Sequence, residues 1–215
     1  MKITNTITGI ALALTLASCS GSKAEETTKD PVTDAKKTAV IAQEETIKYK
    51  VELASSAVNW SGSISTGGYG HEGTLNITEG NISLAGNKVE AGSFTIDVNS
   101  MATTDANYSE GHEKEMLVGH LQSPDFFDTK LYPTATFVIK NHSENSVTGD
   151  LTIRGKTNEE TVTDVTVTTD ESGAVTVTGN ITFDRQKYDV AYVSTMKDMV
   201  ISDEIKLAIS LNLIK

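Results

Sequence analysis

The sequence predicts an all-β protein whose strands close into one antiparallel β-barrel of about eight strands. Apolar and polar residues alternate along much of the chain, most regularly at Ile205–Leu213, and this is the period of a strand with one buried face. Thr, Val and Ile are frequent and the 215 residues include three prolines, which also favours strands. Short turn segments such as Glu79–Asn81 and Glu171–Gly173 separate the alternating runs, so we expect antiparallel hairpins rather than crossover helices.

The alternating runs predict eight to ten strands. They cover 47–53, 57–64, 70–78, 94–98, 135–141, 147–154, 161–168, 175–183 and 205–213. An open β-sandwich is the alternative arrangement, but closure into a barrel removes exposed sheet edges. A barrel of about eight strands is just wide enough to be filled by its own side chains or to hold one slender ligand. Aromatic residues make up 6% of the chain, so we expect a roomy apolar lumen.

One segment in the middle of the chain interrupts the strand pattern. Alternation stops from Thr103 to Tyr132, where charged residues become frequent. Glu113–Leu121 has the spacing of a short amphipathic helix, and Pro124 begins a second helical turn or a tight loop. We therefore expect a short helical insertion at about residues 109–130.

The N-terminal residues predict export and lipid attachment. Lys2 is followed by a small, apolar run that ends at Leu16-Ala17-Ser18-Cys19, the layout of a bacterial secretory signal. This quartet resembles the lipobox of bacterial lipoproteins, in which the cysteine is acylated and becomes the first residue of the mature chain. Cys19 is the only cysteine of the protein.

These features divide the chain into three parts. We expect residues 1–18 to be a lipoprotein signal peptide, 19–46 to be a flexible acidic tether and 47–215 to be the folded domain. The acylated Cys19 would attach the protein to a membrane of the bacterial cell envelope. Because Ser20 rather than Asp follows Cys19, the periplasmic side of the outer membrane is favoured.

The charge balance disfavours one class of partner. The chain carries 18 Lys and Arg against 29 Asp and Glu, a formal net charge of −11. Such a surface repels phosphate, so nucleic acid is not an expected partner. The single cysteine also excludes a scaffold held by disulfide bonds.

Several motifs together resemble the YceI-like family. The most specific are the loop Gly119–Asp128 (GHLQSPDFFD) and the strand Val147–Gly155 (VTGDLTIRG). Weaker matches occur in the expected order at Val58–Gly62, His71–Gly73, Gly92–Asp97, Tyr132–Phe137 and Phe183–Arg185. The resemblance covers about residues 47–215.

This resemblance implies a lipocalin-like antiparallel barrel whose tunnel accommodates a polyisoprenoid or another long amphiphilic chain. The implied activity is binding, for storage or transport of a lipid in the envelope, with no cofactor. Family members are mostly soluble periplasmic proteins, so the lipobox and the long tether are departures from the family pattern.

Apolar side chains are the candidates for contact with the ligand chain in the lumen. They are Trp60, Leu75, Phe94, Phe126, Phe127, Phe137, Leu151, Phe183 and Ile209. The alternative is that these residues fill the barrel as an ordinary core, which would make the protein a scaffolding or interaction lipoprotein of the envelope. A lipid-modifying enzyme is a third and less favoured function. The oligomeric state stays open, with a homodimer as one option.

The two arginines of the chain, Arg154 and Arg185, both lie in motifs of the family resemblance. A guanidinium group is planar and can bind two oxygens at once, so these residues are candidates to hold a polar headgroup. The alternative, which we favour, is a structural ion pair with a motif acid such as Asp128, Asp150 or Asp184.

Two of the four histidines, His71 and His120, also lie in these motifs and are the other headgroup candidates. Imidazole is the commonest metal ligand, but the histidine spacing matches no metal motif, since His112 lacks the second histidine of a His-Glu-x-x-His site. No Gly-x-Ser-x-Gly nucleophile motif occurs either. We therefore expect neither a metal site nor catalytic residues.

Overall fold

The computed structural model describes residues 44–195 and 199–215. The predicted signal peptide, the predicted anchor Cys19 and the predicted tether up to residue 43 lie outside the described residues. The described residues belong to one structural unit, residues 42–215. None of the helices in this part of the chain has both the length and the apolar character needed to cross a membrane.

The described part of the chain consists of nine strands, one α-helix and one 3-10 turn. In chain order they are β1 (Thr46–Val51), β2 (Ala57–Ile64), β3 (Gly70–Ala85), β4 (Lys88–Thr103), α1 (Lys114–Gln122), β5 (Thr134–His142), β6 (Val147–Ile153), β7 (Lys156–Thr169), β8 (Val175–Asp184), the 3-10 turn (Arg185–Tyr188) and β9 (Ile201–Ile214). The helix lies within the predicted insertion, so that prediction is confirmed.

The sheet closes on itself. Neighbouring strands pair in the order β3-β2-β9-β8-β7-β6-β5-β4, and β4 pairs again with β3. Every one of these pairs is antiparallel. The all-β class and the closed antiparallel barrel are therefore confirmed, and the alternative of an open sandwich is wrong.

Strands β1 and β2 share one position in the barrel, between β3 and β9. On β3, Lys50 of β1 pairs with Asn81 and Val58 of β2 pairs with Leu75. On β9, β1 pairs at Ile214 and Leu213, and β2 continues from Ser210. The nine strand segments thus form an eight-stranded barrel, as predicted, in which one strand is interrupted by the loop at residues 52–56.

The predicted alternation separates the inside of the barrel from its outside. In β8 the buried residues Val175, Val177, Ile181 and Phe183 lie two or four positions apart, and Thr178, Asn180 and Thr182 between them are exposed. Burying an apolar side chain of this size stabilises the fold by about 1.5–3 kcal/mol. The alternating faces therefore place the core inside the barrel.

The two ends of the barrel differ in their connections. We call the end that carries the β2–β3, β4–β5, β6–β7 and β8–β9 connections the open end, and the end that carries the β3–β4, β5–β6 and β7–β8 turns the closed end. The β4–β5 connection at the open end spans residues 104–133 and contains α1, whereas two residues join β3 to β4 at the closed end. The long connections can therefore close over the open end of the barrel, whereas the short turns cannot.

Candidate functional site

A cavity of about 540 Å³ occupies the half of the barrel next to the open end. Its volume lies within the range of about 300–1,000 Å³ that is common for small-molecule sites. Most of its wall is aliphatic or aromatic and comes from β2, β3, β4, β6, β8 and β9. The polar lining residues lie at or beyond the strand ends that face the open end. They include Tyr69, His71, Tyr108, His112 and Glu113.

The structure places the predicted lumen residues at two depths. Six of them line the large cavity, and these are Trp60, Leu75, Phe126, Phe127, Leu151 and Phe183. The other three, Phe94, Phe137 and Ile209, line a void of about 70 Å³ toward the closed end. Four side chains border both spaces and so form the layer between them, namely Val58, Ile96, Leu151 and Leu207.

Trp60 is fixed in the cavity wall by its neighbours on β3 and β4. Its indole Nε1 donates a hydrogen bond to the carbonyl oxygen of Ala102, at 3.2 Å, and 8% of the residue is exposed. A Cβ atom at Gly73 would overlap that carbonyl oxygen and crowd Nε1. Glycine in the His71–Gly73 motif therefore permits the close approach of the strands that holds this indole.

At the open end the cavity is bordered by side chains of α1, of the loop after it and of the segment after the 3-10 turn. We call these side chains, Met116, Leu117, His120, Phe126 and Tyr192, the cover. The rings of His120, Phe126 and Tyr192 lie 4.8–4.9 Å apart in every pairing, with the imidazole edge-on to both aromatic rings. Met116 and Leu117 of α1 line the cavity beside them. His120 therefore takes part in the cover through its ring, and its Nε2 lies 3.4 Å from Asp125 Oδ2 at the surface.

Arg154 fastens the cover to the barrel. Its Nη1 donates hydrogen bonds to the carbonyl oxygens of Phe126, at 2.6 Å, and of Asp189, at 2.7 Å. The residue sits in the two-residue turn between β6 and β7 with φ at 49°. Arg154 borders neither the large cavity nor the deeper void.

Arg185 holds the same segment after the 3-10 turn and is 3% exposed. Its guanidinium donates to the carbonyl oxygens of Val190 at 2.6 Å, Tyr192 at 3.2 Å and Ser202 at 2.9 Å, and Nη2 pairs with Asp203 Oδ1 at 3.0 Å. Arg185 borders the large cavity, but most of its donors are already used by these oxygens.

Both arginines bind main-chain carbonyl groups, and the one acid that is paired with them among the described residues is not one of the three named above. Among the described residues the ion-pair partner of Arg185 is Asp203, and Arg154 binds main-chain carbonyls. Asp150 instead pairs with Lys140, the Asp184 carboxylate accepts the N–H of Gln186, and Asp128 is buried in the turn before β5. A carbonyl group carries no residue-type signal, which explains why the sequence did not reveal these contacts.

His71 belongs to a hydrogen-bonded cluster at the cavity mouth. Its Nδ1 lies 3.2 Å from Asp105 Oδ1 and its Nε2 lies 3.1 Å from the Tyr69 hydroxyl. The ring of Tyr108 is stacked on the imidazole, with centroids 5.2 Å apart, and its hydroxyl donates to Asp105 Oδ2 at 3.1 Å. The chain therefore brings one strand and the insertion together around this histidine.

Asp105 is held in its anionic form by four hydrogen-bond donors near the cavity mouth. Burial alone would raise the pKa of its carboxyl group, but hydrogen bonds from the backbone N–H groups of Glu72 and Asn107, and from His71 and Tyr108, outweigh burial and lower the pKa to about 2. The carboxylate is therefore ionised at neutral pH. Sequence reasoning missed Asp105, Tyr108 and Tyr69, because neither the insertion nor the β2–β3 connection has a strand period that predicts where their side chains point.

The remaining histidines do not form a metal centre with these groups. His112 borders the cavity, and His142 pairs with Glu90 at 3.2 Å near the closed end. Residues 44–195 and 199–215 contain no group of three or more His, Cys, Asp or Glu side chains placed to hold a metal ion.

Comparison with known protein structures extends the picture of the fold. BcnA of Burkholderia cenocepacia is 25% identical, with a TM-score of 0.55, and the match covers 77% of this chain and 99% of BcnA. A polyisoprenoid binding domain from Saccharophagus degradans is 17% identical, with a TM-score of 0.58, and the match covers 77% of this chain and 97% of that domain. These likenesses concern the architecture of the barrel.

Sequence comparison finds relatives and a family. A UPF0312 protein of Staphylococcus aureus is 39% identical over 107 residues, 45% of this chain and 62% of that protein. A UPF0312 protein of Staphylococcus epidermidis is 44% identical over 79 residues, 34% of this chain and 46% of that protein. The matches thus span less than two thirds of these relatives. The model of the YceI-like domain matches residues 49–213, and the chain therefore belongs to the YceI-like family.

Proposed function

We propose that the barrel binds one long-chain amphiphile and that a polyisoprenoid is the leading candidate. The observation that carries this proposal is the apolar cavity of about 540 Å³ in the open half of the barrel. A similar fold is named a polyisoprenoid binding domain, which supports the choice of ligand class. A filled barrel, as required for the scaffolding alternative, does not agree with this cavity.

The distribution of polar groups supports one orientation of the ligand. The wall between Leu75, Leu151 and Leu207 is apolar, whereas His71, His112 and other polar residues border the cavity only toward the open end. Apolar surface leaves water favourably, and a polar head does not. The chain would therefore lie in the barrel with its head at the mouth.

The energy available for capture comes from burial of the chain. Burying several hundred Å² of apolar surface contributes on the order of 10 kcal/mol at ~25 cal/mol per Å², before the cost of ordering the ligand. The layer at Val58, Ile96, Leu151 and Leu207 limits how deep the chain reaches unless these side chains move. No catalytic group is required for such binding.

The cellular setting is part of the same proposal. The lipobox-like quartet ending at Cys19 and the charged segment after it support a lipid-anchored protein of the bacterial envelope, on the periplasmic side of the outer membrane. Storage or short-range transfer of the bound lipid would follow from this location. Labelling with an alkyne-bearing fatty acid, lost in Cys19→Ala, tests the anchor independently of lipid binding.

The test of lipid binding fills the cavity with a side chain. Leu75→Trp adds an indole at a residue that lines the cavity, whereas Ala208→Trp adds one at an exposed position of β9. Native mass spectrometry after gentle extraction should show a polyprenyl ligand on the wild-type protein and on Ala208→Trp, and little on Leu75→Trp. Absence of any co-purifying lipid, together with no uptake of an added polyprenyl probe, would contradict the proposal.

A further inference from the structure

We propose that the cavity mouth selects a ligand with a neutral, hydroxyl-bearing head and disfavours a phosphate or carboxylate head. The site is the acceptor nitrogen Nε2 of His71, held by Asp105 and Tyr108, and we call these three residues the mouth cluster. The proposal rests on the proposed function, because it concerns the head of the lipid whose chain would lie in the barrel.

The hydrogen bonds of the mouth cluster determine which nitrogen of His71 accepts. Asp105 is ionised, and a carboxylate can only accept hydrogen bonds. In the neutral imidazole, Nδ1 at 3.2 Å from Asp105 Oδ1 must therefore carry the hydrogen. Nε2 is then an acceptor, and the Tyr69 hydroxyl, 3.1 Å away, donates to it.

The present donor to Nε2 is one that a ligand can replace. Tyr69 is 39% exposed and ends the β2–β3 connection, which includes Gly67 and Gly68, both with positive φ. His71 and Tyr69 both border the cavity. A ligand hydroxyl at the mouth can thus take the place of the Tyr69 hydroxyl while the side chain of Asp105, 7% exposed, keeps its partners.

The charges around the mouth disfavour an anionic head. Of the described residues that border the cavity, Arg185 is the one Lys or Arg, and its guanidinium is engaged by four carbonyl oxygens and Asp203. Glu113 borders the same mouth, and Lys114 lies 6.0 Å above the Tyr108 ring. A phosphate would lose its hydration here against the carboxylates of Asp105 and Glu113 without a free arginine to bind it.

The test compares three probes with the same twenty-carbon prenyl chain, namely the prenol, its methyl ether and its monophosphate. Trp60 is the single tryptophan and borders the cavity, so quenching of its fluorescence reports binding of each probe. We expect the prenol to bind about tenfold more tightly than the ether, which cannot donate, and at least tenfold more tightly than the monophosphate.

Variants assign this selectivity to the mouth cluster. His71→Phe should remove the difference in affinity between the prenol and the ether, and continued binding of the ether shows that the variant is folded. His142→Phe, at the closed end, is the matched control and should behave as the wild-type protein. Tyr69→Phe removes the competing donor and should raise prenol affinity.

The outcomes separate the two proposals. Equal binding of all three probes, or tighter binding of the monophosphate, would overturn the headgroup site and leave the proposed chain-binding function intact. Failure of every probe to bind would instead overturn the proposed function. Prenol selectivity that survives in His71→Phe would show that another group recognises the head, and would also overturn the assignment.

Discussion

The open and closed halves of the barrel are built from the same strands but are filled differently. In the closed half, Ile82, Leu84 and Leu211 are at most 4% exposed, and the remaining void is about 70 Å³. In the open half, the strands surround a cavity of about 540 Å³. The strand period therefore determines which side chains point inward, but it does not determine whether those side chains pack against one another across the barrel.

Two features account for the space in the open half. Inward positions there include the small residues Gly62 and Ala135, which border the cavity. The end of this half is covered by loop side chains such as Phe126 and Tyr192, held by Arg154 and Arg185, rather than by strand side chains. At the closed end, β1 enters beside β3 and β9 and brings Val51, 4% exposed, into the core.

The sharpest test of this comparison is to remove the same kind of side chain from each half. Leu84→Ala should lower the free energy of unfolding by about 2–5 kcal/mol, because Leu84 is 3% exposed and borders neither of the two spaces described above, so its truncation opens a new cavity. Leu75→Ala only enlarges an existing cavity, so its loss should be clearly smaller. Urea unfolding monitored by circular dichroism measures both, and equal losses would contradict a difference in packing between the halves.

The next effect concerns the attachment of the cover to the open half. Arg185→Lys keeps the charge but cannot reach all the carbonyl oxygens that the guanidinium binds, so it should lower the free energy of unfolding by about 2–3 kcal/mol. Release of a bound prenyl probe should also become faster. Arg154→Lys, with two carbonyl partners, is the comparison and should have a smaller effect on stability. An unchanged release rate in Arg185→Lys would show that this residue does not hold the cover.

A third effect distinguishes the mouth cluster by its response to acid. The pKa of Asp105, about 2 when folded, lies below its ordinary value of 3.8, so the ionised carboxylate stabilises the fold above about pH 4. This stabilisation is lost as the pH falls from about 4 toward 2. In Asp105→Asn, the decrease of stability over this range should be less steep than in the wild-type protein, as measured by urea unfolding at each pH. Parallel curves would contradict the role of Asp105.

The smallest effect on stability is expected from the ion pairs on the outer surface of the barrel. Lys140 pairs with Asp150 and Glu159 at 3.1 and 3.3 Å, but all three side chains are well exposed. Exposed ion pairs contribute little because solvent screens them. Lys140→Ala should leave the urea midpoint of unfolding unchanged within error. A shift as large as that of Leu84→Ala would show that the surface pairs matter as much as the core.

Strands with unbroken alternation could be predicted from the sequence over nearly their full length. The two longest strands could be predicted only in part. Alternation at 175–183 and 205–213 predicts strands whose buried faces the structure confirms. β3 and β4 are 16 residues long, yet the predicted strands cover 70–78 and 94–98. Irregular pairing between Thr74 and Asn76, and between Ile77 and Glu79, breaks the period of two, so the pattern ends before the strand does.

The candidate site could be predicted only where the strand period applies. Trp60, Leu75 and Phe183 face the lumen because each occupies an inward position of a strand. The depth of Phe94 and Phe137, beside the smaller void, depends on the register between strands, which a single strand does not show.

The interrupted strand has a consequence for attachment. Because Thr46 pairs with Ala85 beside the β3–β4 turn, the chain enters the barrel at the closed end. Any linkage made through preceding residues, whether to an acyl group, a resin or a fused fluorescent protein, therefore joins the domain at its base. The mouth of the cavity lies at the opposite end of the barrel from this point of attachment.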